Sequence, residues 1–158
     1  MKSYSEAEAL NKAAAYCTLC ERCISEVRTK LQAWGMLPAQ QENIIKRLVQ
    51  ERFIDESRYC RAFVNDKLRF NHWGRIKIAA GLREKRLPKE FVQEALEAID
   101  DDEYMTVLKD TIAIKRREYK GKDDYATGQK LMRFAASRGF EPSLIVRAIN
   151  ISDHEVDF

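Results

Sequence analysis

The sequence predicts an all-α fold: three tandem three-helix repeats forming an elongated, curved array. Three observations lead there. Only six glycines and three prolines punctuate 158 residues, too few turns for an all-β architecture. Apolar side chains recur at helical spacing along the chain. The chain also repeats itself: Cys23–Leu31, Gly74–Leu82 and Thr127–Ala135 align, with starts 51 and 53 residues apart. Four positions after each segment stands Gly35, Arg86 or Gly139. An apolar residue follows (Met36, Leu87 or Phe140), then shortly a proline (Pro38, Pro88 or Pro142). Apolar pairs share an offset from each turn: Ile44 and Ile45, Ala95 and Leu96, Ala148 and Ile149.

The first repeat is assigned to residues 1–54. Ser5 followed by Glu8 is a capping-box pattern for its opening helix. Ala13, Ala14, Ala15, Tyr16 and Leu19 extend that helix, and Cys17, Cys20 and Cys23 are spaced for one side of it. The second repeat takes residues 55–99. Asp55 is a candidate N-cap, followed by Tyr59, Cys60, Phe63, Val64 and Leu68 on one stripe. Its middle helix carries Ile76, Ala79, Ala80 and Leu82. Leu87-Pro88 opens its last helix with proline in the first turn, where a missing N–H is harmless. Phe91, Val92, Ala95, Leu96 and Ile99 then share a face. The third repeat takes residues 100–150. Asp100-Asp101-Asp102-Glu103 suits the positive end of a helix dipole, and Asp123 or Asp124 caps the middle helix. Residues 151–158 form an acidic tail. No copy alone holds enough apolar area for a core, so neighbouring copies must stack.

Hydrophobic residues make up 45% of the chain and charged ones 34%, which argues against wholesale disorder. No segment is apolar for long enough to span a bilayer, and the polar first residues do not resemble a signal peptide. The expectation is a cytoplasmic monomer with its four cysteines as thiols. The net charge of +3 is unevenly spread: +2 over residues 1–54, +3 over 55–99 and −2 over 100–158. From Arg58 to Lys89, ten basic residues stand against two acidic ones. Such a window suits phosphate or an acidic protein surface; the bland alternative is a solvated helix face.

Catalytic patterns are missing. Two histidines, His72 and His154, stand far apart, and there is no Gly-rich phosphate loop, G-x-S-x-G or H-E-x-x-H. Cys17, Cys20 and Cys23 invite a metal reading but lack a nearby fourth ligand, so buried structural thiols are preferred. Arg58 and Arg61 beside Cys60 would lower a thiol pKa, yet Cys60 shares its stripe with Phe63 and reads as core. The expectation is a protein that is not an enzyme and takes no cofactor or metal. Candidate contact residues are Lys67, Arg69, Arg75, Lys77, Arg83 and Lys85, interleaved with Phe70 and Trp73. Trp73 offers either a stacking ring or a packing group between repeats. Lys115-Arg116-Arg117 is a weaker cluster, read as a solvated helix end.

The stretch Phe53-Ile54-Asp55-Glu56-Ser57-Arg58-Tyr59-Cys60-Arg61-Ala62-Phe63-Val64 resembles the central signature of the RecX regulatory family. So do Lys67-Leu68-Arg69, Trp73-Gly74-Arg75-Ile76 and Leu82-Arg83-Glu84-Lys85-Arg86-Leu87-Pro88. The chain departs from the family pattern at Arg86, where the turn ordinarily has glycine, and at Cys60, where a small residue is usual. The resemblance implies a protein that binds RecA filaments on single-stranded DNA and lies along the filament groove. It implies inhibition of ATP hydrolysis, strand exchange and the co-protease activity linked to the SOS response, with DNA itself a further partner. Two other readings stay open. One is a sequence-independent DNA-binding module using the basic second repeat, which would bind without RecA and weaken steeply with salt. The other is a thiol or metal redox protein centred on Cys17, Cys20 and Cys23.

Overall fold

The structure, a computed structural model, describes residues 3–119 and 124–156, the last segment (151–156) as backbone only. Among the described residues there are nine helices and no strand. The first repeat is α1 (Glu6–Leu19), α2 (Ile24–Ala33) and α3 (Pro38–Gln50). The second is α4 (Glu56–Arg69), α5 (Arg75–Glu84) and α6 (Lys89–Glu97). The third is α7 (Asp101–Glu118), α8 (Tyr125–Ser137) and α9 (Pro142–Val156).

The repeat has one stereochemical signature, at the end of each middle helix. Gly35, Arg86 and Gly139 all take left-handed backbone, with φ of 81°, 63° and 92°. The next N–H reaches back to the same helical position each time: Met36 to Leu31, Leu87 to Leu82, Phe140 to Ala135, at 3.0, 3.2 and 3.3 Å. This is the Schellman arrangement, in which the residue after the left-handed one packs its apolar side chain inward. Met36, Leu87 and Phe140 are all buried. Arg86 thus holds the glycine geometry without being glycine, at a backbone cost of about 1–2 kcal/mol.

Caps follow the sequence closely. Ser5 and Glu8 form a reciprocal box, and Asp55, Asp100 and Asp124 each accept an N–H from three residues on. Asp123, the alternative cap, lies outside the described residues. Pro88 sits one position earlier than expected: α6 starts at Lys89, and the Pro88 carbonyl accepts from Phe91 and Val92. α9 runs on through Val156, past the boundary at residue 150.

The chain divides into two compact units that cut through the second repeat. Unit 1 comprises residues 1–62 and 82–93, and unit 2 residues 63–81 and 94–158. Unit 1 has a core of Ala9, Ala13, Val27, Leu31, Met36, Ile44, Ile45, Leu48 and Ile54. Buried residues of unit 2 include Val64, Leu68, Ile78, Tyr104, Leu108, Ile112, Leu131, Phe140 and Ile145. The apolar set read from sequence for α5 is only partly buried. Leu82 is fully buried, but Ile76 is half exposed and Ala80 exposed, and Ile78, absent from that set, is fully buried. A helix as short as α5, with Ile76, Ile78, Ala79, Ala80 and Leu82 spread around it, has two faces of nearly equal hydrophobicity, and packing chooses between them.

Within unit 2, the start of α5 is built against the α8–α9 turn. Gly74 N–H donates to Arg138 O at 2.7 Å, and Ile76 N–H to Gly139 O at 3.0 Å. Arg75 N–H donates to Tyr104 Oη at 3.0 Å. Three donors that a helix start leaves open are thereby satisfied by the third repeat. The approach is possible only because both partners are glycine. A Cβ on Gly74 would lie 2.4 Å from Gly139 O, and one on Gly139 would lie 2.3 Å from Lys77 Cβ.

Candidate functional site

The six candidate cations separate into distinct environments. Lys67 on α4 and Lys77 on α5 both place their ammonium groups over the Trp73 ring, 4.8 and 4.6 Å from its centroid. The indole meets Phe63 edge-on at 6.5 Å. Gly81 makes room for that pair, since a Cβ there would come within 3.1 Å of Phe63. Trp73 is therefore a packed ring in the second repeat with two cations upon it, an arrangement the ring quadrupole favours. Among the described residues, neither lysine has a carboxylate within ion-pair distance.

Arg69, Arg75 and Lys85 are placed differently. Arg69 Nε binds Glu103 at 2.8 Å on an exposed face. Arg75 lies over the Tyr104 ring at 3.8 Å and pairs with Glu141 at 2.9 Å and Asp101 at 3.2 Å. Tyr104 completes the cluster by donating its hydroxyl to Glu141. Burial first, and then the Glu141 carboxylate, push the Tyr104 phenol upward, so it stays protonated and donates. Lys85 binds Glu26 at 3.1 Å within unit 1. Burial alone would raise the Glu26 carboxyl, but the Cys23 N–H and the Lys85 ammonium outweigh it and hold it below its usual value. Arg83 is exposed, with no ion pair among the described residues.

Sequence reasoning missed the acidic half of this picture. Asp101 and Glu103 were legible as a helix start but not as ligands of Arg75 and Arg69, and Glu141 carried no signal beyond its charge. It also passed over Phe70 as a wall residue. The ring is 81% exposed and borders a cavity of about 250 Å³ in unit 2. His72, beside it, has a φ of 55° and sets Nδ1 3.1 Å from Thr111 Oγ1.

The cysteine cluster does not lie along one helix. α1 ends at Leu19, Cys20 is extended backbone at its C-cap, and Cys23 is the N-cap position of α2. Arg22 explains the break without Gly or Pro: it stacks 3.9 Å from the Tyr16 ring centroid and donates Nε–H to the Tyr16 carbonyl at 3.2 Å. Cys23 and Cys60 are buried, Cys17 half-buried and Cys20 exposed. Burial pushes the Cys17 and Cys60 thiols up to about 11 and raises Cys23 too. These are protonated, unreactive thiols, the opposite of an activated nucleophile. For Cys60, burial outweighs the lowering effect of Arg61. Among the described residues, no group of three His, Cys, Asp or Glu side chains is placed to hold a metal, and no helix is long and apolar enough to cross a membrane.

Comparison with known proteins places this geometry in a family. Residues 55–96 match the second three-helix domain of RecX, and residues 101–149 match its third. The chain belongs to the RecX family. A regulatory protein RecX from Lactobacillus johnsonii is 27% identical over 104 residues, which are 66% of this chain and 38% of that protein. One from Prosthecochloris aestuarii is 26% identical over 143 residues, covering 90% of this chain and 92% of the relative. Shares of the relatives' length thus range widely. The crystal structure of RecX from Lactobacillus salivarius matches with a TM-score of 0.84 over 94% of this chain and 96% of that one, at 19% identity. The three-helix RecX repeats are therefore shared at the level of fold, and the chain is a member of a family of regulatory proteins.

Proposed function

We propose that this chain binds RecA filaments on single-stranded DNA and restrains them, lowering ATP hydrolysis, strand exchange and co-protease activity and so modulating recombination and the SOS response. It does so in the cytoplasm, as a monomer, by binding and not by catalysis. The observation that carries the reading, beside family membership, is the lysine pair on Trp73. Lys67 and Lys77 are cations held in place by a ring, with no carboxylate within ion-pair distance among the described residues. They are preorganised for an anionic partner, whether an acidic protein surface or a phosphate. Arg69, Arg75 and Lys85 already hold carboxylates of their own chain, so their contribution to contact is indirect.

The test is RecA's single-stranded-DNA-dependent ATPase with this protein titrated in at physiological salt. The wild type inhibits well below the RecA concentration. Lys67→Glu with Lys77→Glu shifts the titration to at least about tenfold more protein, a loss of roughly 1.4 kcal/mol, while helicity is unchanged. Full inhibition by the double variant removes the lysine pair from the contact. Absence of inhibition by the wild type, with salt-sensitive DNA binding intact, favours the sequence-independent DNA-binding module instead.

A further inference from the structure

Unit 2 contains a second place where aromatic rings and cations meet, away from Trp73. Its cavity of about 250 Å³ is bordered by Phe70, just past α4, and by Phe134 on α8. Lys115 on α7 and Arg138 after α8 both lie over the Phe134 ring, at 4.8 and 5.1 Å from its centroid. Ile114, half exposed, adds apolar surface. The described residues between Ile114 and Arg138 are basic on balance: six basic residues stand against two acidic ones.

We propose that this cavity takes up one unstacked base of single-stranded nucleic acid, with Phe70 stacking on the base and Lys115 and Arg138 meeting the adjoining phosphate. Size is the first argument. The space is below the roughly 300–1,000 Å³ typical of sites for drug-sized molecules, but a single flat ring fits. The lining is the second. Six of the nine bordering residues are polar. An aliphatic anchor from a protein partner would bury the Asn71 amide without a partner, which is penalised. A base has donors and acceptors along its edge and a face for an aromatic ring. The Asn71 amide has no partner among the described residues and presents both a donor and an acceptor. Charge is the third argument. Lys115 is paired with Glu118 at 2.8 Å, but Glu118 is more than half exposed, and a phosphate competes for Lys115 with that single carboxylate in a basic surround. A duplex keeps its base faces stacked, so the site selects single strands.

The proposal does not depend on RecA, and its test omits RecA. A short fluorescein-labelled oligothymidylate and a matched abasic strand are bound to the whole protein, with affinity read by anisotropy. The ring of Phe70 lies on the surface, so Phe70→Ala leaves the fold intact. That variant weakens oligothymidylate binding about tenfold, the order expected for losing one base–aromatic stack, and leaves abasic-strand binding unchanged. Asn71→Ala weakens oligothymidylate binding in the same selective way. If Phe70→Ala weakens both strands equally or neither, the base site is wrong. No binding of oligothymidylate, with an acidic apolar peptide protecting amides at Phe70 and Lys115 from exchange, assigns the cavity to a protein partner and also overturns the proposal.

Discussion

Substituting alanine for glycine at two equivalent turns separates a local requirement from a tertiary one. Gly35 and Gly139 occupy the same Schellman position, with φ of 81° and 92°. Alanine at either must adopt left-handed backbone, at about 1–2 kcal/mol, offset by up to about 1 kcal/mol from restricting the unfolded chain. A Cβ on Gly35 meets nothing within 4 Å, so the effect there ends at about 1 kcal/mol. A Cβ on Gly139 would lie 2.4 Å from the Lys77 backbone nitrogen. No side-chain rotation relieves an overlap with backbone, so the start of α5 must move off the turn. That breaks the Gly74–Arg138 and Ile76–Gly139 hydrogen bonds. Two bonds at about 1 kcal/mol each, more if the donors stay dry, bring the Gly139→Ala loss to about 3–5 kcal/mol. Gly74→Ala attacks the same joint from the other side, so the two changes together lose less than their sum. Urea denaturation followed by circular dichroism measures all three. If Gly139→Ala loses no more than Gly35→Ala, the joint does not hold α5 as described.

Three further outcomes follow from the side-chain chemistry. Glu26 is held below its ordinary carboxyl value. Its contribution is therefore present above the unfolded-state pKa and fades as pH falls through the lower folded-state pKa. Glu26→Gln thus lowers the urea midpoint at neutral pH and converges with the wild type in acid; parallel pH curves would show that Glu26 is not the linked group. Arg75→Glu faces Glu141 with a like charge and removes the guanidinium from Tyr104. With the Arg75 side chain 24% exposed, the loss is discounted to about 2 kcal/mol from the 3–5 of a fully buried pair, and an unchanged urea midpoint would refute the cluster. In the folded protein a thiol reagent labels Cys20 fast, Cys17 slowly, and Cys23 and Cys60 only in denaturant; equal labelling of Cys23 and Cys20 would contradict the burial.

The legible parts of this molecule were those written locally. The Schellman turns announced themselves through Gly35, Gly139 and the apolar residue after each, and even Arg86 could be placed by register alone. Caps at Ser5, Asp55, Asp100 and Asp124 need only three residues to be recognised. The α1–α2 break was not legible, because it rests on Arg22 reaching a carbonyl and a ring at Tyr16 and not on a glycine or proline. The buried face of α5 was not legible either: Ile76 and Ile78 are chemically the same, and only tertiary packing distinguishes them. Candidate cations could be enumerated, but their partners lie 26 to 66 residues away, beyond any window in which charge patterning is read.

That last failure has a direction. Among the described residues, the acids that bind cations of the Arg58–Lys89 window all lie outside it, Asp55 just beyond its edge. Glu21 holds Arg58, Glu26 holds Lys85, Glu103 holds Arg69, and Glu141 and Asp101 hold Arg75. Four of the ten basic residues are thus matched by carboxylates that a sequence window cannot see, and the apparent excess overstates the field a partner meets. The reverse holds in the third repeat. Its net charge of −2 over residues 100–158 conceals a basic stretch from Ile114 to Arg138, because the acids cluster in the first turn of α7 and beyond α8. An ion pair of modest exposure contributes to holding helices in register, whereas a cation resting on an aromatic ring without a carboxylate remains available to phosphate or to an acidic surface. By that criterion the available cations among the described residues of unit 2 are Lys67 and Lys77 at Trp73, Lys130 at Tyr119 and Arg138 at Phe134, and not the arginines that dominate the sequence signature.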